Sequence, residues 1–267
     1  MQFSYHNHTL WSDGDRSIEA MVERARAIGL DEIGISDHLV LRPSGLAASW
    51  SMPRGRLPGY VSRVLEAREK TGSTPAVRLG IEVDFFPETV EESRKVLARH
   101  PFDVVIGSVH YLDGFPVDED RRFWDALPPG ELDGKWRLYW MRVRQMAESR
   151  AFDIAAHLDL PKKFGHRPAA DLRPEVEAAL DALAAAGMAI EINTSGWSLP
   201  AGEAYPAPEI LRAARLREIP LLIGADAHRP EHLVRDFGRA RALAREAGYA
   251  ELVRYEKRSK IPEPLGG

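Results

Sequence analysis

The sequence has no cysteine, which excludes disulfides, iron–sulfur clusters and cysteine-ligated structural zinc. Any metal bound here must be held by nitrogen and oxygen. Lysine is scarce, at seven residues, and the net charge is −4. With no basic tail and no run of like charges, the electrostatic footprint of non-specific nucleic-acid binding is missing. No nucleic-acid partner is expected, whereas a small anionic substrate stays open because local cations govern that. No window approaches the roughly 18 consecutive apolar residues of a membrane span, so no membrane association is expected. The opening Met-Gln-Phe-Ser-Tyr runs straight into His6 without a charged region, apolar stretch and cleavage site, which points to a cytoplasmic location. Internal repeats, low-complexity tracts and interdomain linkers are absent too. Nothing in the sequence speaks to oligomeric state.

What is present is ordinary globular usage: 267 residues, 44% hydrophobic and 28% charged, enough for a sizeable core in one α/β domain over residues 1–267. Short apolar or β-branched runs at 3–8, 32–36, 76–83, 104–109, 153–157, 188–193 and 221–224 alternate with segments of helical period. That alternation predicts βα units around a parallel sheet. Ile18, Met21, Val22, Ala25 and Ile28 share one helical face, with Ser17 as N-cap and Gly29 as the stop. Leu132, Trp136, Tyr139, Val143 and Met146 are spaced to cover a sheet. Further helices are expected near 59–71, 88–99, 173–186, 207–217 and 231–247. The long connections 39–58 and 111–130 read as lids or binding loops, and 258–267 as a loosely held tail.

The histidines and acids fall at strand ends. His6 and His8 close the first run, Asp37 and His38 follow the second, and Glu82 lies near the end of the third. His110 follows the fourth, His157 closes the fifth, and Asp226 and His228 follow the seventh. In a parallel barrel all strand carboxyl ends open on one face, so residues distant in sequence converge there. Alternation along an extended segment lets His6 with His8, and Asp226 with His228, grip one ion. A single histidine beside a strand is ordinarily a satisfied polar residue. Six of nine at strand ends argue otherwise for the set, while His100 and His232 keep the ordinary reading. Imidazoles with a few carboxylates suit zinc, iron or manganese rather than calcium or magnesium. They are too many for one ion and predict a cluster of two or three.

These motifs resemble the polymerase and histidinol phosphatase (PHP) superfamily, and within it the histidinol-phosphatase branch. The resemblance rests on His6-Asn7-His8-Thr9 with Ser12-Asp13-Gly14, on Ile35-Ser36-Asp37-His38, on Gly80-Ile81-Glu82-Val83-Asp84 and on Ile106-Gly107-Ser108-Val109-His110-Tyr111. It continues through Ala156-His157-Leu158-Asp159, Glu191-Ile192-Asn193-Thr194-Ser195-Gly196 and Gly224-Ala225-Asp226-Ala227-His228. It implies a distorted seven-stranded (β/α)7 TIM-like barrel holding three divalent or trivalent metal ions. His6, His8, Glu82 and Asp226 would hold the first, Glu82, His110 and His157 the second, and Asp13, His38 and His228 the third. Asp37 is placed to orient an imidazole.

The implied reaction is hydrolysis of L-histidinol phosphate by a metal-bridging hydroxide, with Asp226 or His228 managing the proton on the leaving alkoxide. Lys162, Lys163, Arg167 and Arg229 are the candidate phosphate contacts, against the alternative of solvated surface cations. Relatives can carry a basic residue after the Asn-Thr-Ser-Gly turn, where this chain has Trp197 and Ser198. Competing readings are a nucleoside bisphosphate phosphatase, a short-oligonucleotide hydrolase and a non-catalytic metal-binding module.

Overall fold

Runs such as Val104-Val105-Ile106 and Leu221-Leu222-Ile223 are apolar at every position, the pattern of strands covered on both faces. In the computed structural model, which describes residues 1–266, these runs are buried. Seven strands lie side by side in parallel: β1 (Phe3–Ser4), β2 (Glu32–Ile35), β3 (Ala76–Asp84), β4 (Val104–Ser108), β5 (Ile154–Ala155), β6 (Ala189–Asn193) and β7 (Leu221–Gly224). Spatial order follows chain order, so each connection advances by one strand and all carboxyl ends share one rim. The helices are α1 (Ile18–Ala27), α2 (Leu57–Thr71), α3 (Val90–Leu97), α4 (Arg121–Asp125), α5 (Glu131–Ser149), α6 (Arg173–Ala186), α7 (Pro208–Leu216) and α8 (Phe237–Glu246). None of them is long and apolar enough to cross a membrane. Ser17 caps α1 by accepting the Ala20 N–H, and Gly29 follows with φ 74°.

The barrel is nearly closed. β1 pairs with β2 only at Phe3–Glu32 and Ser4–Ile33, so the expected strand over 3–8 stops early. Beyond it Asn7 stays tied to the end of β2, its carbonyl accepting the Ser36 N–H at 2.8 Å, and meets the end of β7 through one parallel bridge to Ala227. There the His8 N–H donates to the Ala227 carbonyl at 2.9 Å and the Ala227 N–H to the His6 carbonyl at 3.1 Å. The fifth strand is likewise shorter than 153–157, because the backbone turns left-handed at His157 (φ 21°) and Asp159 (φ 61°).

Three further expectations are corrected. The connection 111–130 contains a hairpin, Tyr111–Leu112 against Phe115–Pro116, and then α4. The helix expected over 231–247 is split into a 3-10 turn, Pro230–His232, and α8, since Asp236 sits at φ 58°. The tail expected at 258–267 is ordered as far as it is described, with Gly267 outside the described residues. β8 (Glu251–Glu256) and β9 (Ser259–Pro264) form an antiparallel hairpin. It docks at the amino ends of the strands, where the Tyr255 N–H reaches the Tyr5 hydroxyl at 3.2 Å and Arg254 reaches Glu32 at 3.2 Å. Arg258 pairs there with Asp153 at 2.9 Å.

Candidate metal centre

At the opposite rim the strand ends deliver the expected ligands to one place. His6 and His8 flank the Asn7 bridge. A two-residue parallel pairing sets His38 opposite Glu82, and His110, His157, Asp226 and His228 lie in the turns just past β4, β5 and β7. Glu82 is at the centre. Its Oε2 lies 2.8 Å from His38 Nδ1, 3.1 Å from His6 Nε2 and 3.5 Å from His8 Nε2. Its Oε1 lies 3.2 Å from His157 Nε2 and 3.8 Å from His110 Nε2. Asp226 Oδ1 is 3.2 Å from His8 Nε2 and 3.6 Å from both His6 Nε2 and His228 Nδ1. Asp13 reaches His228 Nε2 at 3.2 Å and His38 Nε2 at 3.7 Å. The donor atoms form overlapping groups, each within 4.8 Å: His8, Asp13, His38 and His228; His6, Glu82 and His157; His6, His8 and Asp226; His38, Glu82 and His110.

This donor set fits cations. His6 Nε2, both ring nitrogens of His8, His38 Nδ1 and Glu82 Oε2 are buried without a hydrogen-bond partner, each a cost of roughly 1–3 kcal/mol if left so. Burial, reinforced by His38 and His228, pushes the His8 imidazole down to about 3, which keeps it in the neutral form a metal needs. Burial opposes ionisation of Glu82 and Asp226, yet the surrounding imidazoles hold both carboxyls well below their usual range. Burial also opposes charging of His6 and His110. Glu191, Glu82 and Asp226 nevertheless raise His6 well above its ordinary value, while Asp84, Asp118 and Glu82 lift His110 to about 10. Protons thus balance the carboxylates where metal ions would replace them.

The model of the PHP domain family matches residues 4–195. The chain belongs to the PHP domain family. A probable histidinol-phosphatase of Deinococcus radiodurans is 40% identical over 223 residues, covering 82% of this chain and 83% of that one. The histidinol-phosphatase of Lactococcus lactis is 24% identical over 260 residues, covering 95% and 94%. The crystal structure of histidinol phosphate phosphatase from L. lactis, complexed with zinc, L-histidinol and phosphate, shares the fold with a TM-score of 0.83. It is 22% identical, and the match covers 97% of this chain and 98% of that one.

Two carboxylates that stand in the sequence motifs but received no role from the sequence, Glu191 and Asp84, hold candidate ligands in this PHP domain. Glu191 accepts from His6 Nδ1 at 2.9 Å, from the His157 N–H at 3.0 Å and from Asn193 Nδ2 at 2.9 Å. A Cβ at Gly224 would stand 2.1 Å from Glu191 Oε2, so only glycine leaves room for it. Asp84 meets His110 Nδ1 at 2.5 Å. The available signals were an acid inside the apolar run Ala189–Ile192, and the Glu82-x-Asp84 alternation that points both acids to one face. The Glu191→Gln variant is expected to weaken zinc binding by about 10–100-fold, measured by competition with a chromogenic chelator. An unchanged affinity would show that Glu191 does not tune His6. Asp37 orients no imidazole. It accepts from the Thr9 N–H at 2.8 Å and the Ser12 N–H at 3.0 Å, fixing the turn that carries Asp13.

The candidate phosphate contacts separate. Lys163 lines a cavity of about 410 Å³ over the cluster, its ammonium on Asp118 at 3.1 Å. Lys162 is buried, and its three N–H donors are taken by Asp159 at 2.8 Å, the Ala204 carbonyl at 2.7 Å and Glu203 at 3.2 Å. Arg167 pairs with Glu203 at 2.6 Å and faces a cavity on the α5–α6 flank. Arg229 is 62% exposed and pairs with Asp15 at 3.2 Å. Chain proximity to a ligand misplaced these three, because the turns after His157 and His228 direct them away from the cavity. Trp50 and Glu119, from the two long connections, meet over the cavity: the Trp50 Nε1–H donates to Glu119 Oε1 at 3.2 Å.

Proposed function

We propose that the chain is a metal-dependent phosphomonoesterase that hydrolyses L-histidinol phosphate to L-histidinol and phosphate in cytoplasmic histidine biosynthesis. The observation that carries this reading is the convergence of the nine expected ligands at one rim in overlapping groups, with five imidazoles around Glu82, supported by the 40% identity to the Deinococcus protein along most of both chains. We assign His6, His8, Glu82 and Asp226 to one ion, Glu82, His110 and His157 to a second, and Asp13, His38 and His228 to a third. Zinc, iron and manganese all suit these donors. Bound ions supply Lewis acidity to the phosphoryl oxygens and make water available as a nucleophile near neutral pH.

The chain's own groups do the rest. Glu191 and Asp84 fix the His6 and His110 rings. Asp226 turns Oδ1 toward three imidazoles, while its Oδ2 meets only Asn193 Nδ2 at 3.4 Å. That second oxygen is the group we assign to the proton of the leaving alkoxide, so Asp226→Asn lowers kcat while metal is retained. Asp118 is paired with Lys163, and Glu119 is the carboxylate of the cavity beyond the cluster that has no cationic partner among the described residues. This suits a cationic amino-alcohol and disfavours the second phosphate of a nucleoside bisphosphate.

The test is phosphate release by metal-loaded protein from histidinol phosphate, a nucleoside bisphosphate panel and short oligonucleotides. Histidinol phosphate is expected to give the highest kcat/KM. Chelation should abolish release, and added zinc, iron or manganese should restore it. Preference for a nucleotide would overturn the substrate assignment, and no turnover of any ester would favour the metal-binding module.

A further inference from the structure

A second cavity, of about 210 Å³, lies beside the one over the cluster, and the two share Lys163, Asp226 and His228. Its remaining wall includes Ser195, Tyr205 and Arg235. Arg235 stands in the turn between the Pro230–His232 segment and α8, where a continuous helix was expected. Its guanidinium donates to the Ala225 carbonyl at 2.9 Å and touches His232 Nδ1 at 3.4 Å, and its Nε is buried without a partner. Neither contact is a carboxylate. The Tyr205 hydroxyl is also buried and unpartnered, on a residue with no exposed surface. Arg235 is half-buried and has no carboxylate partner among the described residues, so an uncompensated guanidinium sits on the wall of one small cavity that opens onto the metal ligands.

We propose that this cavity is the anion subsite of the centre, and that Arg235 binds the phosphate oxygens as ester or as product. The inference rests on the phosphatase reading above. It resolves where the phosphate's cations are, since Lys162, Arg167 and Arg229 are engaged elsewhere and Trp197 and Ser198 follow the Asn-Thr-Ser-Gly turn. A planar guanidinium with free N–H groups is suited to phosphate oxygens. The cleft is consequently polar from end to end. Asp118 and Glu119 line the first cavity, Arg235 lines the second and Lys163 lines both. A zwitterionic ester, with its ammonium at the acidic lobe and its phosphate at the basic one, is held in a single orientation.

The test titrates zinc-loaded protein with inorganic phosphate by calorimetry and, separately, measures phosphate as a competitive inhibitor. Arg235→Met is expected to weaken phosphate binding about tenfold or more and to raise KM far more than it lowers kcat. Zinc content and melting temperature should be unchanged, and Arg235→Lys should recover part of the loss. Arg235 also holds the Ala225 carbonyl, so Arg235→Gln, which keeps an N–H donor and loses the charge, serves as the second variant and is expected to weaken phosphate binding several-fold. Unaltered phosphate affinity in Arg235→Met overturns the proposal. So does loss of zinc or fold in Arg235→Met together with unaltered affinity in Arg235→Gln. The calorimetric readout needs no ester. A drop in phosphate affinity without turnover of histidinol phosphate would sink the substrate assignment and leave the anion subsite standing.

Discussion

Replacing Glu82 by glutamine is expected to lower the rate of phosphate release by about 10³-fold or more and to leave the purified protein depleted of metal after dialysis. The carboxylate is buried near the carboxyl end of β3, and its two oxygens face five imidazoles between 2.8 and 3.8 Å away. Glutamine keeps the volume and loses the charge. It also turns an N–H donor toward atoms that need an acceptor or a cation, so the loss falls on every ion that shares this side chain. Ser108, which donates to Glu82 Oε1, becomes the partner of an amide instead. Metal analysis alongside turnover decides the matter. A variant that kept its full metal content and came within about tenfold of the parent rate would show that Glu82 is not the bridge.

The second large effect is on stability and lies at the far end of the barrel. Glu32 is buried at the start of β2 and receives Arg78 at 2.8 Å and Arg254 at 3.2 Å, together with the Tyr5 hydroxyl. Arg254 belongs to β8, so one carboxylate joins the barrel to the C-terminal hairpin. Glu32→Gln leaves two largely buried guanidinium groups facing a neutral amide, an expected loss of about 3 kcal/mol. That corresponds to a melting temperature lowered by roughly 6–12 °C in a chain of this size. Urea unfolding should show the midpoint falling with little change in slope, and kcat/KM below the midpoint should stay at the parent value. A loss under about 1 kcal/mol would mean that the pair behaves as a surface contact and the hairpin is held by its apolar face alone.

The strands and the clustering of candidate ligands were legible in the sequence for the same reason. Parallel strands buried on both faces are apolar throughout, so a histidine or acid at the end of such a run is conspicuous, and the shared rim brings those ends together. Residues that act across the fold left weaker marks. Glu191 orients His6 from 185 positions away, and nothing local distinguishes it from a buried acid paired in some other way. Arg235 was hidden because the apolar spacing of 231–247 continues a helical pattern through the turn at Asp236. The terminal hairpin escaped notice because its two-residue loop, Lys257 and Arg258, adopts φ values of 49° and 64° without glycine or asparagine. Pro262 and Pro264 also argued against a strand. By contrast Asp113 and Gly114, at φ 51° and 88°, carried a hairpin signal that the long-loop reading overlooked.

The single bridge between Asn7 and Ala227 makes the barrel a split ring, with His6, His8 and Asp13 on one lip and Asp226 and His228 on the other. Asp13 and His228 face each other across that split, although 215 positions separate them along the chain. Metal held by both lips would act as a clasp over nearly the whole contour of the domain, and its binding energy would oppose the entropy of closing so long a loop. Synthesis proceeds from the first lip to the second, so an unfinished chain has half a clasp and cannot assemble the reaction centre. Completion of the ring and acquisition of chemistry are one event, and a partly made domain has no hydrolytic activity to misdirect.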